Sequence, residues 1–61
     1  MKFRAEYKVK ADDKIEQGGF VGAKFVDLKE GCVVIVFEDN SSLLIPVANI
    51  VGEMLVEVDR A

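Results

Sequence analysis

Positions 32–50 read "CVVIVFEDNSSLLIPVANI", two apolar runs on either side of a polar turn, with a proline soon after the second begins. The first run, residues 32–37, is apolar without interruption and rich in β-branched side chains, the pattern of a short strand. Unbroken apolarity predicts a central strand covered on both faces. "EDNSS", residues 38–42, is a tight turn, with Asn40 suited to the left-handed backbone region because its short amide can bond locally. Residues 43–45 form the returning strand. Pro46 ends it, since proline has no N–H to donate and holds the preceding Ile45 in extended geometry. "VANIVG", residues 47–52, is too short for an α-helix and too apolar for an exposed loop, which predicts a single 3₁₀ turn closed by Gly52.

Upstream, residues 2–10 alternate strictly. Phe3, Ala5, Tyr7 and Val9 take one face and Lys2, Arg4, Glu6, Lys8 and Lys10 the other, the period-two signature of a half-buried strand. "ADDKIEQGG", residues 11–19, is polar apart from its first alanine and Ile15 and ends on two glycines, which predicts a loop with Ile15 as its anchor. Residues 20–28 are strand-like, and Gly22 within them marks a bulge, a sharp bend or a close backbone approach. The alternation slips across it: Val21, Ala23 and Phe25 share a face while Val26 and Leu28 lie on the other, as in a curved strand contributing to two parts of a core. "KEG", residues 29–31, is a hairpin connection whose Gly31 can take the positive φ that such turns need. Downstream, Met54, Val56 and Val58 alternate with Glu53, Leu55, Glu57 and Asp59 in a last strand. That leaves Leu55 as an apolar residue among outward acids, a candidate contact with another chain.

The order is strand, loop, three strands joined by tight hairpins, a short turn and a final strand. Five short strands in 61 residues are too few for two full sheets, so an all-β, strongly bent small barrel is expected. The stretch "LLIPVANIVGEMLVEV", residues 43–58, resembles the SH3-like small barrel, in which the fourth strand ends in one 3₁₀ turn before the fifth closes the barrel. The likeness covers nearly the whole chain as an order of elements. It implies a five-stranded barrel and, since a fold hosts many activities, no particular function. The chain has no Trp and one Tyr, so the aromatic polyproline groove of peptide-binding SH3 domains is not expected.

A 61-residue chain makes one domain, residues 1–61, and a domain of that size buries only about 60% of the surface its unfolded form exposes. With 51% hydrophobic and 31% charged residues there is enough apolar side chain to offset ordering entropy, which excludes a disordered chain. Cys32 is the only cysteine, so no internal disulfide can support so small a core, and self-association is the expected substitute. Charges at Lys2, Arg4, Glu6, Lys8 and Lys10 argue against a signal peptide. No run approaches the roughly 20 apolar residues of a membrane span. The expected location is the cytoplasm.

Catalysis is not expected. There is no His to act as a general base, and Cys32 heads a buried strand with no activating partner in view. Glu38 with Asp39, and Asp12 with Asp13, are adjacent acids in loops, where solvation is the default. Asp39, Asn40 and Ser42 lack the ordered oxygen ligands of a calcium loop, and "GGFVG" at residues 18–22 is followed by no GK[ST], so no metal and no cofactor are expected.

The charge is unevenly spread. Lys2, Arg4, Lys8, Lys10 and Lys14 make the first strand and its sequel basic, and these five are the candidate polyanion contact. Glu6 interrupts that stripe and the net charge is −3, against the usual balance of nucleic-acid domains. Lysines also keep an edge strand from aggregating. The expected function is therefore a non-catalytic protein-interaction module that self-associates as a homo-oligomer. Its contacts, with a protein partner or with its own copies, would use residues 11–19, Leu55 or the free edge of the first strand. The alternative is a nucleic-acid-binding barrel using the basic face.

Overall fold

The computed structural model describes residues 1–60; the final residue of the expected domain, Ala61, lies outside the described residues. The chain runs β1 (Lys2–Ala11), β2 (Lys14–Lys29), β3 (Cys32–Phe37), β4 (Ser42–Pro46), a 3₁₀ turn (Val47–Asn49) and β5 (Ile50–Asp59). Every ladder is antiparallel, and the strands form one sheet in the order β4-β3-β2-β1-β5. The all-β class, the five strands and the presence of a 3₁₀ turn agree with the sequence reading; the turn is closed by Ile50 and not by Gly52, which lies inside β5. The sheet is open, with β4 and β5 at its edges among the described residues.

β1 alternates as its sequence dictates: Ala5 and Tyr7 are buried, Phe3 and Val9 half-buried, and all five charged residues exposed. Its position corrects one expectation. β1 lies between β2 and β5, with Lys2 opposite Asp59 and Val9 opposite Ile50, so it has no free edge to offer a partner.

Residues 11–19 are not a loop. Asp12 and Asp13 alone turn the chain, at φ 49° and 66°, the positive values a two-residue hairpin turn requires and short acidic side chains tolerate. β2 then starts at Lys14, pairing Lys14 with Ala11 and Ile15 with Lys10. Ile15 is consequently no anchor: it stands beside Lys10 on the outer face, 62% exposed.

β2 is 16 residues long and serves both halves of the sheet, first against β1 and then against β3. It bends through two bulges. Between the pairs Phe3–Ala23 and Ala5–Phe20 it carries one residue more than β1, with Gly22 at φ 71°. Between Ala23–Phe37 and Phe25–Val36 it carries one residue more than β3. Each extra residue inverts the alternation. Phe20, Ala23 and Val26 therefore all face the core, while Val21 and Phe25 face out. This overturns the grouping of Val21, Ala23 and Phe25 on one face.

The two later turns follow their residues. Glu30 and Gly31 make a two-residue hairpin at φ 51° and 76°. Asn40 takes φ 68° in the turn between β3 and β4, its N–H donating to the Phe37 carbonyl at 2.9 Å. Pro46 closes β4, and the Val47 N–H donates to the Gly31 carbonyl at 2.9 Å, carrying the ladder one step further before the 3₁₀ turn begins.

The core is small: Ala5, Tyr7, Phe20, Ala23, Ile35 and Ile45 are buried, and Ile35 is the one large side chain wholly out of water among the described residues. The rest of β3 is only half-buried. One face of β3 meets the core, and the other shows Val34 and Val36 beside the exposed Leu44 and Phe25. β3 is thus not covered on both faces as its unbroken apolarity predicted.

Candidate interaction surface

The inner face of the sheet does not close over itself, and the reason lies in β5. Between the pairs Glu6–Leu55 and Lys8–Val51, β5 holds two residues more than β1, and Gly52 turns there at φ 77°. The strand bends away and leaves a groove of about 640 Å³ on the core side, between β5, the 3₁₀ turn and the β2–β3 hairpin. Phe3, Val26, Leu28, Val47, Met54 and Val56 are among its walls. Several of these remain wet: Leu28 is 67% exposed, Val47 43% and Val56 37%.

Asp27 is the single ionisable residue at the groove. Its Oδ1 accepts the Leu28 N–H at 2.8 Å, so the carboxylate is engaged with its own backbone. By alternation Asp27, paired with Val34, falls on the face of β2 away from Val26 and Leu28, so the groove itself offers mainly apolar contact. Its volume lies within the range of ligand clefts, and its shape and chemistry suit apolar side chains.

The outer face carries the predicted polyanion residues. Lys2, Arg4, Lys8 and Lys10 project together from β1 and are exposed. Lys14 does not join them: paired with Ala11, it falls on the opposite face of the hairpin. Nor is the stripe purely basic. Asp59 stands opposite Lys2 and Glu57 opposite Arg4 on β5, with Glu6 between, so the cations lie in a mixed-charge field. Leu55 is 69% exposed, as its place among the acids predicted, and lies opposite Glu6 in a shallow depression with Arg4 and Glu57.

At the β3–β4 turn the Asp39 carboxylate accepts the Ser41 hydroxyl and the Ser41 N–H, the latter at 2.9 Å. These bonds hold its pKa below the ordinary carboxylate value, the Ser41 side chain contributing most, with Lys24 adding to the effect. Lys24 itself donates to Asn40 Oδ1 at 2.6 Å. This turn is locally satisfied and offers no vacant ligand set. Cys32 is half-buried, and no cluster of His, Cys, Asp and Glu able to hold a metal occurs among the described residues.

The sequence reading missed the groove because its walls come from five segments that only the sheet brings together. Leu28 and Gly52 stand in the sequence as an apolar strand residue and a turn glycine, but nothing local shows that they face one hollow. The architecture defines a small open all-β domain. No family model, no curated protein and no solved structure matches the chain. No helix among the described residues is long and apolar enough to cross a membrane.

Proposed function

We propose that this chain is a non-catalytic protein-interaction module that associates with copies of itself. The observation that carries the reading is an excess of surface. The chain exposes 4658 Å², whereas surface–mass scaling gives about 3,900 Å² for a monomeric protein of 6.7 kDa. The difference of roughly 750 Å² is close to the ~800 Å² that each partner contributes to a standard protein interface. Much of what is exposed is apolar, including Leu28, Val47, Leu55, Val56 and Val58. Shape agrees: the radius of gyration is 11.5 Å, against about 10.5 Å for a globular domain of this length.

The strand order and the 3₁₀ turn before β5 are consistent with an SH3-like barrel left open on one side, the finer description we propose for the fold. The lack of His and the local engagement of Asp27 and Asp39 support a role through contact and not through chemistry. The lone half-buried Cys32 supports a reducing, cytoplasmic setting.

Sedimentation equilibrium over a wide concentration range tests the reading. The average mass is expected to rise from that of one chain toward that of two. A mass that stays at 6.7 kDa at millimolar concentration overturns it. The polyanion alternative loses support because acids on β5 face two of its four clustered cations. It predicts binding to mixed DNA or RNA at about 50 mM salt that falls steeply as salt rises, and undetectable binding there removes it.

A further inference from the structure

We infer that two copies join groove to groove about a two-fold axis, each inserting its Leu28 into the apolar groove of the other. This rests on the self-association just proposed and names its surface. Leu28 is both a wall of the groove and 67% exposed, so a knob and a hole lie side by side on one patch. A two-fold interface requires that self-complementarity, since the same patch must serve both partners. Val47, 43% exposed on the 3₁₀ turn, and Val56 on β5 supply the far walls against which a partner's side chain would pack.

Electrostatics and backbone geometry favour this patch over the two sheet edges. The one ionisable residue among the groove's walls, Asp27, pairs with Val34 and so alternates onto the face of β2 away from Val26 and Leu28, which keeps the two copies' carboxylates off the apolar contact. Along β5 the exposed acids Glu53 and Glu57 flank Leu55. Antiparallel pairing of two β5 strands centred on Leu55 would set each Glu53 against the other copy's Glu57, a like-charge opposition that destabilises a ladder. β4 is five residues long. The bonds Phe37 N to Ser41 O and Val47 N to Gly31 O fix its phase, so by antiparallel alternation only Ser42 and Leu44 direct N–H groups to the free side. Pro46, next in that series, has none. Two donors make a poor edge for another chain. Around the groove the exposed Leu28, Val47 and Val56 form a continuous apolar patch that would be the centre of such an interface.

The test measures association and folding together on Leu28→Lys, Leu28→Ala, Val47→Lys and Leu55→Lys. Sedimentation gives the dissociation constant, and circular dichroism with urea titration shows that each variant is folded. Leu28→Ala, which adds no charge, is expected to weaken the dimer roughly thirty-fold or more, as truncation of a central anchor does. The two groove lysines are expected to be folded monomers, and Leu55→Lys to dimerise like the parent. Folded Leu28→Lys and Val47→Lys proteins that remain dimeric overturn the inference. So does a monomeric Leu55→Lys beside a dimeric Leu28→Lys, which leaves self-association standing but moves it to β5. A parent chain that never dimerises removes the functional reading itself.

Discussion

The ring of Tyr7 lies across the backbone of Gly18, its Cε2 2.6 Å from where a β-carbon on residue 18 would sit. The two are cross-strand partners, and the ring covers the surface that the glycine leaves bare. Tyr7 is only 9% exposed, so its ring has little room to retreat. Gly18→Ala is expected to cost about 1–3 kcal/mol, the usual penalty of overpacking. Urea titration measures it. In a Tyr7→Leu background the same change is expected to lose most of its cost, because the two substitutions share one contact.

Ile35 is completely buried in the core, on β3 opposite Val26 of the neighbouring β2. Ile35→Ala is expected to remove about 2–5 kcal/mol through lost burial and the cavity left behind. A domain of this length has roughly 3–9 kcal/mol of stability in total. The variant is therefore expected to be largely unfolded at 37 °C, while Ile35→Val, costing about 1 kcal/mol, stays folded; thermal melts by circular dichroism separate them.

Glu30 occupies the left-handed region at φ 51° beside Gly31 at φ 76°. A long acidic side chain suits that backbone poorly, and Asn-Gly is the preferred pair for such a turn. Glu30→Asn is expected to stabilise the fold by about 0.5–1 kcal/mol, raising the melting temperature. Gly31→Ala is expected to lower it, since alanine disfavours positive φ.

Asp39 provides a pH test. Ser41 lowers its folded-state pKa, so the carboxylate's stabilisation is complete above the unfolded value of about 3.9 and fades as pH falls through the lower folded value. A carbon-detected NMR titration is expected to place the Asp39 midpoint below those of solvated aspartates. In Ser41→Ala it is expected to move up toward them.

What the sequence disclosed is what short-range chemistry decides. β1 was legible because nothing interrupts its period of two, and the β3–β4 hairpin because Asn40 and Pro46 each permit few backbone states. The start of β2 was hidden because two adjacent aspartates look like loop residues, although both tolerate the positive φ of a two-residue turn. The slipping alternation and Gly22 pointed to a bend in β2 but not to where the extra residues sit, and it is their positions that send Val21 and Phe25 outward. At the candidate surface, the exposure of Leu55 and of four basic side chains could be read from alternation. The groove could not, because Phe3, Leu28, Val47 and Val56 become neighbours only through pairings far apart in the chain.

The bend of β5 at Gly52 bears on the order in which the domain assembles. Three of the four ladders join strands consecutive in the chain, whereas β1–β5 brings together residues such as Phe3 and Val58 across almost its whole length. Closing so long a loop carries the largest entropic cost of the four ladders, so β5 is expected to dock after the hairpins have formed. Its amides are expected to exchange with deuterium faster than those of the β1–β2 hairpin. Because β5 is also one wall of the groove, a partner seated there clamps a strand that is paired on one side only, and slowed exchange along β5 would report its arrival.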